Sequence, residues 1–97
     1  MPTSYHPIDL TAAGPRPEPC GENHTIQWTN RTGHQITSFV LPCCVSPKTN
    51  PAPLEDGQPT IIYTIDPGTK RQKPYDYSYT FQGIKIVNTQ NGTIDVS

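Results

Sequence analysis

Two adjacent cysteines, Cys43 and Cys44, sit in the run Leu41-Pro42-Cys43-Cys44-Val45-Ser46-Pro47, a short distance downstream of His34. Thiolates are soft ligands that suit Cu(I) and Zn(II), and an imidazole would complete a Cys₂His donor set for copper or zinc. Paired zinc-binding cysteines are normally separated by two to four residues, a spacing that neighbours do not meet. The same thiols have a second use. A disulfide from Cys20 to Cys43 or Cys44 would tie the N-terminal arm to the middle of the chain, adding about 3 kcal/mol or more through loop closure. A bond between the neighbours, or three reduced thiols, are the other readings. Three cysteines are an odd number, so an oxidised chain leaves one thiol able to join two copies.

The remaining reactive side chains form no catalytic pattern. His6 and His24 lie far apart without metal-ligand spacing, and each reads as an ordinary hydrogen-bonding histidine. The acids fall in turns or on polar strand faces, and no pair stands out for proton transfer. There is no G-x-S-x-G elbow, no glycine-rich phosphate loop and no signature around Cys or His. A non-enzymatic chain is therefore expected, with a small thiol-dependent enzyme as the outside reading that Cys43-Cys44 keeps open. Three Asn-x-Thr triplets, at Asn23, Asn30 and Asn91, would be glycan acceptors in a secreted eukaryotic protein, although a chain rich in Asn and Thr produces them by chance.

Composition narrows the partners. The chain has 97 residues, a formal charge of -1, 32% apolar residues and 15% charged ones. Low charge at both signs argues for a folded, polar, neutral domain and against disorder. Phosphate contact needs clustered cations, and Lys70-Arg71 with Lys73 is the one small cluster, so nucleic acid is not an expected partner. No run approaches the roughly 20 apolar residues of a membrane helix, so no membrane span is expected. No leader-like segment is read at the N-terminus, and the compartment stays open between the cytosol and the cell exterior or periplasm, with the latter preferred. The oligomeric state is not legible.

The elements that must position these residues are strands. Twelve prolines leave little room for helix. Residues 1–21 read as an extended Pro-rich arm with one short edge strand at His6-Pro7-Ile8-Asp9-Leu10. Strands follow at residues 24–29 and 35–41, joined through Asn30-Arg31-Thr32-Gly33 as a hairpin or a sheet corner, with Ile36 and Val40 facing one way and Phe39 and Leu41 the other. Residues 42–59 form a long Pro-rich loop, and residues 60–65 a further strand. Asp66-Pro67-Gly68-Thr69 is a turn in which Pro presets φ and Gly accepts positive φ. In Tyr75-Asp76-Tyr77-Ser78-Tyr79-Thr80-Phe81 the rings recur at every second position, which places all four on one strand face. They read as core. The alternative is an exposed strip, with Tyr75, Tyr77 and Tyr79 binding a sugar or a protein. The last strands, residues 84–87 and 93–96, flank Asn91-Gly92, a pair that favours a tight hairpin. About seven strands and no helix make one all-β domain over residues 1–97, most simply a β-sandwich.

Two stretches resemble the cupredoxins, the blue-copper β-sandwich family. Residues 26–39 resemble the family's strand, Asn-containing turn, ligand His and following strand, with His34 at the ligand position. Asp66 to Thr69, Tyr75 to Phe81 and Gly92-Thr93-Ile94-Asp95-Val96 resemble its Pro-Gly turn, aromatic strand and closing strand. The resemblance covers about two-thirds of the chain and implies a Greek-key sandwich. A blue-copper site needs His₂Cys and a weak axial ligand. Phe81 stands near the family's Cys position, and residues 82–97 hold no Cys, His or Met. The reading is thus a non-catalytic cupredoxin-like module without a type 1 copper site, acting in protein interaction or as a structural component, with no cofactor. An unidentified protein or glycan would be its partner. The alternative is a copper- or zinc-handling protein with a relocated site at His34, Cys43 and Cys44.

Overall fold

The computed structural model describes residues 4–83 and 86–96, and these form eight strands and no helix. The strands are β1 (Tyr5–Thr11), β2 (Glu18–Cys20), β3 (Thr25–Arg31), β4 (Ile36–Val40), β5 (Val45–Ser46), β6 (Tyr63–Ile65), β7 (Lys73–Gln82) and β8 (Val87–Val96). They build two four-stranded sheets, one ordered β1-β3-β6-β5 and the other β2-β8-β7-β4. The protein is an all-β sandwich. Both sheets gain a parallel edge strand from the N-terminal arm: β1 runs beside β3, and β2 beside β8.

The core follows from alternation along β7. Tyr75, Tyr77, Tyr79 and Phe81 are buried, while Asp76 and Gln82 are exposed and Ser78 and Thr80 half-buried on the outer face. Trp28, from the other sheet, meets Phe39, Tyr63 and Tyr77 edge-on at centroid distances of 5.2, 5.3 and 5.2 Å. Such edge-to-face contacts place the positive ring edge on a negative face. Three of the core tyrosine hydroxyls reach backbone carbonyls, while that of Tyr77 is buried without a partner. Tyr79 donates to Thr11 O at 2.6 Å, Tyr63 to Thr49 O at 2.6 Å and Tyr75 to Lys70 O at 3.3 Å. Tyr75, Tyr77 and Tyr79 therefore do not form an exposed binding strip, because the inward face of β7 is the one that carries them.

Several local expectations are corrected. Asn91-Gly92 is not a turn: β8 runs unbroken through it, in a register that pairs Gly92 with Tyr77. The glycine is needed there because a Cβ would overlap the Tyr77 ring. The reversal between β7 and β8 instead lies just after Gln82, where Gly83 N donates to Ile86 O at 2.8 Å. Of the strand expected at 84–87, residues 84 and 85 lie outside the described residues. In β4 a register shift between Ile36 and Ser38 inserts one residue, so Ile36 and Phe39 share the buried face and Val40 is exposed. A bulge of this kind reverses the alternation that the sequence suggests. The strand expected at 60–65 shrinks to β6, with Ile61 and Ile62 exposed before it. The short strands β2 and β5 come from the arm and the Pro-rich loop. Residues 30–33 make a sheet corner, since β3 and β4 belong to different sheets. The expected 66–69 turn forms, with Thr69 N donating to Asp66 O at 3.3 Å and Gly68 at φ 81°.

Candidate functional site

The corner between β3 and β4 is built on Asn30. Its side chain is fully buried and uses all its hydrogen-bonding groups. Nδ2 donates to His34 O at 2.7 Å and to Leu54 O at 2.9 Å. Oδ1 accepts from Thr32 N at 3.0 Å and lies 2.7 Å from Thr32 Oγ1. Thr32 Oγ1 in turn accepts from His34 N at 3.1 Å. Asn, with two donors and an acceptor on one flat group, can hold both arms of a corner together. The engagement of Nδ2 also means that Asn30 is no glycan acceptor in the folded chain.

This corner carries His34 to the rim of an open cavity of about 460 Å³. Thr32, His34, Phe81, Ile86 and Asn88 line it, drawn from the β3–β4 corner and the β7–β8 hairpin. The His34 ring lies parallel to Phe81, with centroids 6.2 Å apart and planes 7° apart. Ile86, just before β8, and Val87, its first residue, are 65% and 60% exposed. We call this the open end.

The cysteines belong to the other end. His34 precedes β4 and Cys43-Cys44 follow it, and the five residues of β4 alone span about 13 Å at ~3.3 Å per residue. His34, Cys43 and Cys44 therefore do not meet as one coordination site. Among the described residues no three His, Cys, Asp or Glu side chains are grouped to hold a metal. At the open end the described lining offers one imidazole, with Phe81 beside it, and no thiol, thioether or second imidazole. That donor set does not fit a type 1 copper ion.

All three thiols are free, with Cys20 and Cys44 buried and Cys43 exposed. Burial, with help from the Glu18 charge and the Cys44 thiolate, pushes the Cys20 thiol up to about 12. Burial likewise pushes Cys44 up to about 11, with the neighbouring Cys43 adding to it. A thiol held protonated at neutral pH is a poor nucleophile and a poor ligand. Around them the chain is tied by Asp66. Its carboxylate accepts from Ser46 Oγ and, at 3.2 Å, from Lys48 Nζ, and its amide donates to Cys44 O at 2.7 Å. The Ser46 hydroxyl, then Lys48, hold the Asp66 carboxyl below its ordinary value against a smaller opposing effect of burial. Lys48 Nζ also donates to Cys43 O at 2.9 Å and to Val45 O. This is the closed end.

Two groupings escape sequence reasoning. Asn30 reads there only as a turn residue, although an Asn and a Thr two apart before a Gly is the pattern of a side-chain-closed turn. His6 and His24 read as unrelated, yet parallel pairing of β1 with β3 sets His6 opposite Ile26 and brings the two imidazoles to 2.9 Å. Spacing along the chain holds no signal for that contact. Comparison of the chain with protein-family models, with curated proteins and with solved structures found no match.

Proposed function

We propose that this chain is a non-catalytic interaction module, a β-sandwich of cupredoxin-like type without a type 1 copper site, that docks a protein partner at its open end. The observation that carries the reading is the pairing of the His34 cavity with Ile86 and Val87, two large aliphatic side chains left in solvent beside it. Aliphatic side chains grouped on a hairpin next to a concavity are the chemistry of protein interfaces. A glycan would stack on exposed aromatic rings, and in this chain Trp28, Phe81 and four of the five tyrosines are buried. Among the described residues, the nucleophile and acid-base groups that an enzyme needs are not gathered at the cavity, and the thiols sit at the other end.

A photo-crosslinking amino acid at position 86, in cells that make the protein, tests this. A discrete protein adduct at position 86, absent when the same probe stands at Thr93 on the outer face of β8, is the expected result. Equal labelling at both positions, or none at 86, overturns it. Native mass spectrometry of reduced protein with Cu(I) and Zn(II) provides the opposing test: one tightly held ion, lost in His34→Ala, would make this a metal-handling protein instead.

A further inference from the structure

One titratable cluster lies beside the closed end, where Ile65 N donates to His24 O at 2.8 Å. His6 on β1 places Nδ1 2.9 Å from Glu18 Oε2 on β2, and Nε2 2.9 Å from Nδ1 of His24 in the β2–β3 loop. The amide of Gly21 donates to that same His24 Nδ1 at 3.0 Å. The imidazole planes are 16° apart with centroids 5.1 Å apart, too far for face contact, so the rings meet nitrogen to nitrogen. A zinc ion between the nitrogens on that line, at about 2.0–2.1 Å from each, would need about 4 Å. The contact therefore holds a proton and no metal.

Donor counting assigns the protons. His24 Nδ1 accepts from the Gly21 amide, so it carries no hydrogen, and His6 Nε2 must be the donor toward it. The facing Glu18 oxygen is an acceptor when ionised, so His6 Nδ1 must donate as well. Both ring nitrogens of His6 are then protonated. With one proton fewer, every arrangement leaves a conflict. A neutral His6 turns a lone pair either on the Glu18 carboxylate or on His24 Nδ1. Moving a proton to His24 Nδ1 sets it against the Gly21 N–H.

We propose that Glu18, His6 and His24 are a proton-operated clasp, which fastens the edge strand of one sheet (β1) to the edge strand of the other (β2) while His6 is an imidazolium. The elements around it add few other charges. Glu18 also faces the Cys20 thiol on its own strand, Asp9 of β1 is turned to Arg31 at 3.7 Å, and Glu22 of the β2–β3 loop to Arg71 at 3.8 Å. His6 and Glu18 keep side-chain exposures of 17% and 31%, so the proton leaves to solvent without unfolding the core. A base removes it from His6, the end-on contacts become repulsive, and the two sheet edges part at the N-terminal arm.

Ring-nitrogen NMR of the whole chain across pH reads this directly. At about pH 6, inside the usual range of imidazole titration, His6 should show two protonated nitrogens, and His24 a protonated Nε2 with a bare Nδ1. As pH rises, His6 should lose its proton at the same midpoint at which the His24 signals shift and Gly21 amide exchange accelerates. Glu18→Gln removes the carboxylate that His6 Nδ1 faces, so the His24 and Gly21 signals should change at a lower pH than in the wild type, with His34 unmoved. A single protonated nitrogen on His6 at about pH 6, or a His6 titration without response at His24 and Gly21, overturns the proposal. So does a Glu18→Gln shift equal at His6 and His34. The wild-type titration decides the question even if the variant folds poorly.

Discussion

The two ends of the sandwich use polar groups in opposite ways. At the closed end one carboxylate, Asp66, and one ammonium, Lys48, are turned inward on backbone and on each other, and two thiols are sealed beside them. At the open end Asn30 does the tying from beneath, fully buried. The surface above it is left to His34, Asn88 and uncovered aliphatic side chains. The reactive residues therefore lie apart from the cavity in this chain. The cysteines, the most reactive side chains it has, hold the end that is shut. Of these thiols Cys43 alone is exposed, and the cavity with its uncovered aliphatic side chains lies at the other end.

Gly92→Ala should have the largest effect, because Tyr77 and Gly92 form the mid-ribbon pair that both ends share. A methyl group there overlaps the Tyr77 ring, and neither β7 nor β8 can yield without disturbing a ten-residue ladder. A loss of about 3 kcal/mol or more is expected, read as the urea midpoint. Asn30→Ala should come next, at about 2 kcal/mol, since it leaves the amide of Thr32 without a partner and strips the carbonyls of His34 and Leu54 of one donor each, their other donors being the Thr32 hydroxyl and the Ile36 amide. Its damage should be local: amide exchange should rise at residues 32–34 and 54 before it rises around Cys44. Uniform acceleration would show that the ends are not independent.

What the sequence conveys is the pattern that a single strand carries by itself. The ring spacing of 75–81 gives a buried face because β7 pairs with β8 in one unbroken register, which keeps the two-residue period. The Asp66-Pro67-Gly68 turn is legible because its φ preferences are intrinsic. Asn91-Gly92 misleads because the same glycine that favours a hairpin also makes room for a ring from the partner strand, and only the pairing decides between them. The bulge in β4 and the meeting of His6 with His24 depend on neighbours distant in sequence. The open end is legible only in part: His34 stands out, whereas Ile86 looks like one more strand residue until the hairpin around it is known.

Asp66→Asn should cost less, about 1 kcal/mol, because the side chain is one-third exposed and Asn retains part of the hydrogen bonding. Its signature is the acid limb. The Asp66 carboxyl is held low in the folded chain, so its contribution is present above the ordinary carboxylate value, about 4, and is lost as pH falls through the depressed one. Thermal midpoints of wild type and variant should therefore converge in acid. The alkaline limb has the opposite sign. Cys20 and Cys44 are raised to about 12 and about 11, so the stability they carry is full below the value of an unfolded thiol, about 8.5. It drains away as pH rises through the raised values, and unfolding should set in above about pH 9.

Thiol labelling sharpens the contrast without touching the fold. Iodoacetamide at about pH 8, near the value of a free thiol, should modify Cys43 alone in native protein, and all three cysteines in urea. Labelling of all three at one rate would mean that the closed end opens freely. Native resistance of Cys43 as well would put it in a disulfide, or in an interface between two copies.

The smallest effect on stability belongs to the residues with the largest expected effect on binding. Ile86→Ser and Val87→Ser remove side chains that are already in solvent, so each should change stability by less than about 0.5 kcal/mol. The same substitutions should abolish the protein adduct when the crosslinker is moved to Asn88 at the cavity wall, since interface aliphatics act through the water they exclude. Paired with Cys43→Ser, which should leave the adduct intact, they place recognition at one end of the molecule. An adduct that survives Ile86→Ser and Val87→Ser but disappears with Cys43→Ser would reverse the assignment of the two ends.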